Sequence, residues 1–399
     1  MNTRVASAGP LEGVLVADFS RVLAGPLSTM WMADLGATVI KVEHPERGDD
    51  TRHWGPPWTQ TSSSYFTAAN RSKSSVTLDF GNDEDLEVAR ELARRADVIV
   101  ENFKAGGLAR YGLDHATVAK ANPGVVYASI TGFGSDGGAQ VPGYDFVVQA
   151  VGGLMSVTGD PEGEPTKVGV ALVDVLTAKD TTIAVLAALR ARERDGLGQH
   201  VEVNLLSTLL GSLANQASGY LTTGRSPGRM GNEHPSIAPY ETLRCRSGLL
   251  AVACGNDGQF VKLCDLLGIP EVASDPRFET NGARVENRRA MVVLLEEQLV
   301  AEDAEEWERR CVDAGVPAGR VGTLEDGFRL AESYGLNPVS TLPAPHPPQV
   351  AHPVRYSGTE IRPAAPPPEL GEQSAVVRAW LEGDTSVSDL EERLGGASV

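Results

Sequence analysis

The sequence predicts an α/β fold: an open, Rossmann-like parallel sheet as the large domain, with a smaller α+β domain set into the chain. Short apolar runs alternate with helix-patterned segments from residue 11 to residue 130, the signature of βαβ units with right-handed crossovers. The 399 residues are 41% hydrophobic and only 6% aromatic, with 43 Gly and 25 Pro, which suits a turn-rich globular chain of two domains. A Gly-, Pro- and Arg-rich stretch, 224–239, opens a largely helical block that interrupts what otherwise reads as one larger domain. The expected boundaries are 1–222 for the first part of the large domain, 223–235 for a linker and 236–330 for the small domain. Residues 331–399 are then the return linker and the rest of the large domain.

Residues 11–18 (LEGVLVAD) read as the first strand, followed by a loop, 19–26, whose Pro26 fits the first position of a helix over 27–35. Residues 37–43 (ATVIKVE) are the second strand. No GxGxxG joins the two, so the usual dinucleotide fingerprint is missing. After a loop over 44–61 come a strand at 75–78, an amphipathic helix at 83–96 and strands at 96–102 and 125–130. Ligands in such sheets sit at the carboxyl ends of the strands. A Gly-rich loop, 131–142, leads to a helix over 144–153 and an exposed turn at 160–164. The apolar run 168–173 reads as a buried strand or turn ending in Asp174, after which a helix runs to Asp195 and Gly196. Residues 200–208 read as strand entering helix, and the helix 205–221 is poor in charge, as suits a buried or subunit-facing element. A hairpin over 240–254 turns at Ser247 and Gly248 and runs into 255–259, with helices at 260–267, 283–300 and 304–314. Residues 342–368 are Pro-rich and extended, and a last helix at 373–381 precedes a polar tail.

The net charge of −18 disfavours a nucleic-acid surface. Cys245, Cys254, Cys264 and Cys311 have no CxxC spacing, and none of the seven histidines sits in HExxH or beside GxSxG, so no metal site is expected. The opening MNTRVASAGPLEG lacks an apolar core and no run approaches the ~20 apolar residues a membrane span needs. A reduced, cytoplasmic protein with no membrane contact is expected.

Asp174 stands where an apolar run meets a helix start. A carboxylate there can cap backbone amides or, alternatively, act as a nucleophile. Arg21, Lys73, Lys104 and Arg110 follow successive strands and together suggest an anion or nucleotide site, although each alone also fits solvated surface. Gly255 and Gly258 permit close approach and positive φ, or simply make a strand-to-helix turn. Tyr144 and Asp145 stand at a helix start, where capping is the plainer role, and His234 beside Glu233 is a lone linker histidine. A nucleophilic carboxylate, a glycine-bearing loop and an anion site on one sheet suit acyl transfer.

The run VADFSRVLAGPLSTMWMADLGATVIKVEHPERGDDTR resembles the N-terminal signature of the class III CoA-transferases, the CaiB/BaiF family that holds formyl-CoA transferase and α-methylacyl-CoA racemase. NRSKSSVTLDF, ADVIVENFKAGGLARYGL, GYDFVVQAVGGL, ALVD, GLGQHVEV and ACGNDGQF extend the resemblance over roughly residues 10–330, with HPVRYSG at 352–358 beyond it. The resemblance implies an interlocked homodimer, acyl-CoA and a carboxylic acid as substrates, and no tightly bound cofactor. It matches Asp174 to the catalytic carboxylate, and Leu23, Ala24, Lys73, Asn102, Phe103, Lys104 and Arg110 to CoA-contacting positions. Leu23 stands where formyl-CoA transferases carry Gln. Asp145 matches an acid near the nucleophile. Gly255, Asn256, Asp257, Gly258 and Gln259 match a mobile glycine loop, with Asn256 and Asp257 in place of two glycines. The racemase branch would need His at Tyr144 and Glu-Pro before Gln259 and Phe260. A tyrosine with a pKa near ~10 is a poor proton-abstraction partner, so a transferase is preferred over that isomerase. NEHPSIAPYETL and the GND segment look most like the branch acting on dicarboxylic acids, of succinyl-CoA:glutarate type, with His234, Arg225 and Arg229 then available for a distal carboxylate. A non-catalytic CoA-binding protein is the remaining alternative.

Overall fold

The computed structural model describes residues 9–383 and 385–396; the leaderless reading of the first eight residues lies outside them. The chain divides into two compact units, one of Met1–Leu154, Val168–Thr223 and Asn337–Val399, the other of Met155–Lys167 and Gly224–Leu336.

The first unit is built on six parallel strands: β1 (Leu15–Asp18), β2 (Thr38–Glu43), β3 (Ser74–Thr77), β4 (Val98–Glu101), β5 (Val126–Thr131) and β6 (Gln199–Asn204). Their order is β3-β2-β1-β4-β5-β6, the doubly wound arrangement that reverses direction between β1 and β4. Helices cover both faces. Ile40, Ile99 and Tyr127 pack with Leu92 and Trp380 on one side, while Val39, Val98, Val100 and Val126 pack with Met32 and Val185 on the other. Burial on both faces is why these strands are continuous apolar runs, each large side chain contributing about 2 kcal/mol.

Several elements depart from expectation. The first helix spans Ala24–Asp34, starting before the expected residue 27, because Pro26 is harmless anywhere in a first turn. The run 168–173 forms no strand: Val170 is 59% exposed, and the chain enters the helix Leu172–Asp195 directly. The edge beside β5 is already taken by β6. The charge-poor helix breaks into Leu205–Ser212 and Ala214–Thr223, with Ala214 at φ 44°, and Leu221 is 80% exposed. A further helix, Val387–Gly396, occupies the expected polar tail, with Leu390 buried and Ser386 O accepting from Trp380 Nε1. The return segment is tied down by Arg71, which grips Asp34 through Nε and Nη2 (2.9 and 2.6 Å) and donates to Val350 O (2.8 Å).

The second unit has three antiparallel strands, β7 (Tyr240–Arg244), β8 (Leu249–Ala253) and β9 (Ala318–Arg320), β8 central. Phe260, Met291, Trp307 and the four unpaired cysteines fill its core. The expected helix over 283–300 is two, Asn281–Glu286 and Arg288–Leu299. Met155–Lys167, expected in the large domain, joins this unit because Arg229 donates to the carbonyls of Asp160 and Gly163. Among the described residues, no helix is long and apolar enough to cross a membrane.

Candidate active site

A cavity of about 330 Å³ opens at the carboxyl ends of β1, β4 and β5, where the strand order reverses. Arg21 and Leu23 line it from the loop after β1, Ala24 from the start of the helix that follows, and Asn102, Phe103 and Lys104 from the loop after β4. Tyr144 and Asp174 complete the set of predicted residues that it brings together.

The first loop is strained. Val22 has φ 72°, a left-handed conformation that a β-branched residue adopts only when held there. Asn102 holds it: its Oδ1 accepts from Arg21 N at 2.8 Å and its Nδ2 donates to Arg21 O at 2.7 Å. Asp49 accepts from Val22 N at 3.2 Å. Asn102 thus shapes the loop by clasping backbone. The Gly-rich wall between residues 132 and 143 closes on itself, since a Cβ on Gly132 would stand 2.5 Å from the Gly143 Cα, room only for glycine.

Asp174 is the third residue of the helix Leu172–Asp195, whose N-cap, Ala171, supplies no side-chain cap. The capping carboxylate comes from another helix. Asp145, buried at the start of Asp145–Val151, accepts from the amides of Val173 (2.7 Å) and Asp174 (3.2 Å) through Oδ2. Gln149 orients it, donating to Oδ1 at 2.6 Å. Asp174 is therefore released from capping, and its carboxylate receives no hydrogen bond among the described residues. Burial, and then the charge of Asp145, raise its pKa from 3.8 to about 7. The phenol of Tyr65, which drew no attention in the sequence, is pushed up to about 12 by burial and then by the charges of Asp174, Asp145 and Asp49. It stays neutral beside the acids, its ring edge-on to Trp54.

Lys73, which the resemblance matches to a CoA-contacting position, lies buried beneath the first loop and lines neither this cavity nor the one that adjoins it; its Nζ bonds Asp18 Oδ2, Pro26 O and Asn70 Oδ1 at 2.8–2.9 Å. Burial lowers it to about 8 despite Asp18. Lys41 lies beside it, paired with Asp49 at 2.9 Å and donating to Ser20 O at 3.0 Å. Burial alone would raise Asp18, but the charges of Lys73 and Lys41 and hydrogen bonds from Ser20 and Thr29 hold it at about 2. The signal for this network was present as charged residues inside apolar strands, VAD and TVIKVE.

A second cavity, about 440 Å³, adjoins the first at the ends of β2 and β3. His44, Arg47 and Arg110 line it, with Arg110 over the Tyr111 ring at 4.5 Å. Arg21, Asp50 and Phe103 line both cavities.

The remaining predicted residues belong to the second unit. The expected glycine loop is a capped helix start: Asn256 Oδ1 accepts from Gln259 N at 3.0 Å, and Gln259 Oε1 accepts from Gly255 N at 2.8 Å. Asp257 already lies in the helix Asp257–Leu267 and pairs with buried Arg284 at 2.7 Å; neither Gly255 nor Gly258 has positive φ. Of the two residues that replace glycines, Asn256 caps the helix and Asp257 is an acid in its first turn, which is why the segment folds. Arg229, expected to hold a substrate carboxylate, spends Nε and Nη2 on the turn at 160–163. His234 accepts from Ser236 N through Nδ1 and packs on Tyr240. Among the described residues, no three His, Cys, Asp or Glu side chains gather to hold a metal.

An unencumbered carboxylate at a cavity wall can attack a carbonyl, and the cations along both cavities suit an elongated anion. A family model described as CoA-transferase family III matches residues 11–374. The chain is 42% identical to the succinate–glutarate CoA-transferase of Agrobacterium fabrum, over 94% of this chain and 96% of that one. It is 38% identical to the succinyl-CoA:glutarate CoA-transferase of Mus musculus, over 92% and 85%. Among solved structures, a CAIB/BAIF family protein from Brucella suis is similar with a TM-score of 0.85 and 46% identity, covering 94% of this chain and 100% of that one.

Proposed function

Since the chain belongs to CoA-transferase family III and is a CoA-transferase, we propose that Asp174 is the side chain through which it passes CoA from an acyl-CoA to a free dicarboxylic acid. The observation that carries this is the division of labour at the helix start, where Asp145 caps the amides and Asp174 keeps an uncommitted carboxylate facing the cavity.

The ionised Asp174 attacks the thioester carbonyl; the C–S bond breaks, CoA leaves as thiolate, and an acyl-aspartyl anhydride remains. The thiolate then adds to the aspartyl carbonyl, the donor acid departs as carboxylate, and CoA is held as an aspartyl thioester. The acceptor carboxylate attacks that carbonyl, displacing thiolate and forming a second anhydride. Thiolate attack on the acceptor carbonyl gives the new acyl-CoA and regenerates the Asp174 carboxylate. The thioester lies in the first cavity against Leu23, Ala24 and Phe103, with Lys104 at its rim. The nucleotide lies in the second, where Arg47 and Arg110 meet its ribose phosphate. A dicarboxylate acceptor is supported by the activities named for the similar proteins.

The decisive experiment incubates the protein with succinyl-CoA and traps the enzyme with hydroxylamine before peptide mass spectrometry. A hydroxamate on Asp174 is expected; a trapped enzyme modified elsewhere, or Asp174→Asn transferring CoA at an undiminished rate, overturns the assignment. With succinyl-CoA as donor, glutarate and adipate should outrun acetate and butyrate as acceptors, and equal rates would remove the dicarboxylate preference. A homodimer is part of the same proposal, because Phe146, Val151, Ile183 and Leu221 leave apolar area exposed that a second copy would cover. Light scattering giving the mass of a single chain would refute it.

A further inference from the structure

The two cavities are separated by side chains rather than by backbone. Arg21, Asp50 and Phe103 are the residues that line both. Arg21 Nη1 reaches Asp50 Oδ2 at 3.4 Å, both side chains are 50% exposed, and the guanidinium lies 5.5 Å from the Phe103 ring centroid. On one side of this partition is Asp174, and on the other are Arg47 and Arg110. Given the placement of CoA proposed above, the molecule must cross the partition, since its thioester belongs on one side and its nucleotide on the other. The middle of CoA, where it crosses, carries the diphosphate.

We propose that the Arg21–Asp50 pair is a partition the ligand itself opens: a diphosphate oxygen of CoA replaces the Asp50 carboxylate on Arg21, and the two cavities become one trough. The backbone of Arg21 is fixed by Asn102 and that of Val22 by Asp49, so the exchange is a side-chain movement. The existing contact is a single, long, half-exposed ion pair, the kind that contributes least. A guanidinium meets a phosphate with two parallel N–H donors and holds it better. The Asp50 carboxylate has no other hydrogen bond or ion pair among the described residues, so it can be displaced at little cost. Asp49 beside it cannot, because Lys41, Thr51 and Val22 occupy it. Asp50 is thus a positioning residue acting through Arg21: it keeps that cation oriented in the empty protein and competes with the incoming anion.

The test is a double-mutant cycle on CoA affinity, by calorimetry, with wild type, Asp50→Asn, Arg21→Gln, the double variant and Arg110→Ala, each checked for an unchanged thermal midpoint. Asp50→Asn should tighten CoA binding about two- to fivefold, the worth of a half-exposed ion pair. The same change in the Arg21→Gln background should do nothing. If Asp50→Asn tightens binding equally in both backgrounds, the residue acts only as a nearby negative charge and the partition is overturned. If Asp50→Asn leaves affinity unchanged while Arg110→Ala weakens it, the partition falls alone. If Arg110→Ala has no effect, the placement of CoA falls, and the partition with it.

Discussion

Replacing Asp174 by Asn should stabilise the protein while abolishing transfer, and the gain should grow with pH. The Asp174 carboxyl titrates at about 7 in the folded chain against 3.8 ordinarily, chiefly through burial and then through Asp145. A raised folded pKa means that the folded protein holds this proton more tightly than the unfolded chain does. Its contribution to stability is fully present below the ordinary value and is lost as pH rises through the folded one. A gap of about three units corresponds to about 4 kcal/mol, mostly lost by neutral pH. The carboxyl is partly solvated and sits in the first turn of a helix, whose amide dipoles favour its ionised form, so about 2 kcal/mol is the working expectation. Asparagine has the same shape and no proton to lose. Unfolding midpoints of wild type and Asp174→Asn, measured in parallel from about pH 4 to about pH 8, should therefore diverge, the variant ahead by a few degrees at the upper end. Parallel profiles, or a gap that narrows as pH rises, would refute the electrostatic account of this carboxyl.

Other consequences are as direct. The single-turnover rate of acyl transfer should fall as pH drops below about 7, because the protonated acid cannot attack. Asp145→Asn, which keeps an acceptor for the two amides but removes the neighbouring charge, should move that acid limb to lower pH, as a pH–rate profile would reveal. Lys73→Met should destabilise the protein by about 3–5 kcal/mol by leaving Asp18 buried without its partner, whereas Lys104→Ala should weaken CoA binding with little effect on denaturant midpoint. Gly132→Ala should lower the thermal midpoint and the transfer rate together, because the added methyl meets the Gly143 backbone and the wall must shift.

The strands of the large sheet were legible because both of their faces are buried, which leaves an uninterrupted apolar run such as VIV in β4. Asp174 was conspicuous as the acid ending such a run, yet its capping and nucleophilic roles could not be separated locally. What separates them is Asp145, twenty-nine positions earlier, and no spacing rule links the two. The buried pairing of Lys73 is hidden for the same reason: a lysine just ahead of a strand looks solvated, and its partner Asp18 is fifty-five positions away. The 255–259 segment is a different case. Asn256 with Gln259 three residues on is a local helix-start signal, and likeness to a glycine loop outweighed it. The helix Val387–Gly396 stands where the sequence reads as a polar tail, although Val387, Leu390 and Leu394 recur at helical spacing.

Assigning the two duties at the Leu172–Asp195 helix to different acids has a mechanical consequence. In the proposed reaction one carboxyl is converted in turn to an anhydride and a thioester carrying bulky groups, and is set free again at every cycle. Were that same oxygen also stitching the first turn together, each covalent state would unpick the scaffold that presents it. With Asp145 fastening the turn from a neighbouring element, Asp174 can change its chemical identity repeatedly while the backbone beneath it stays in register.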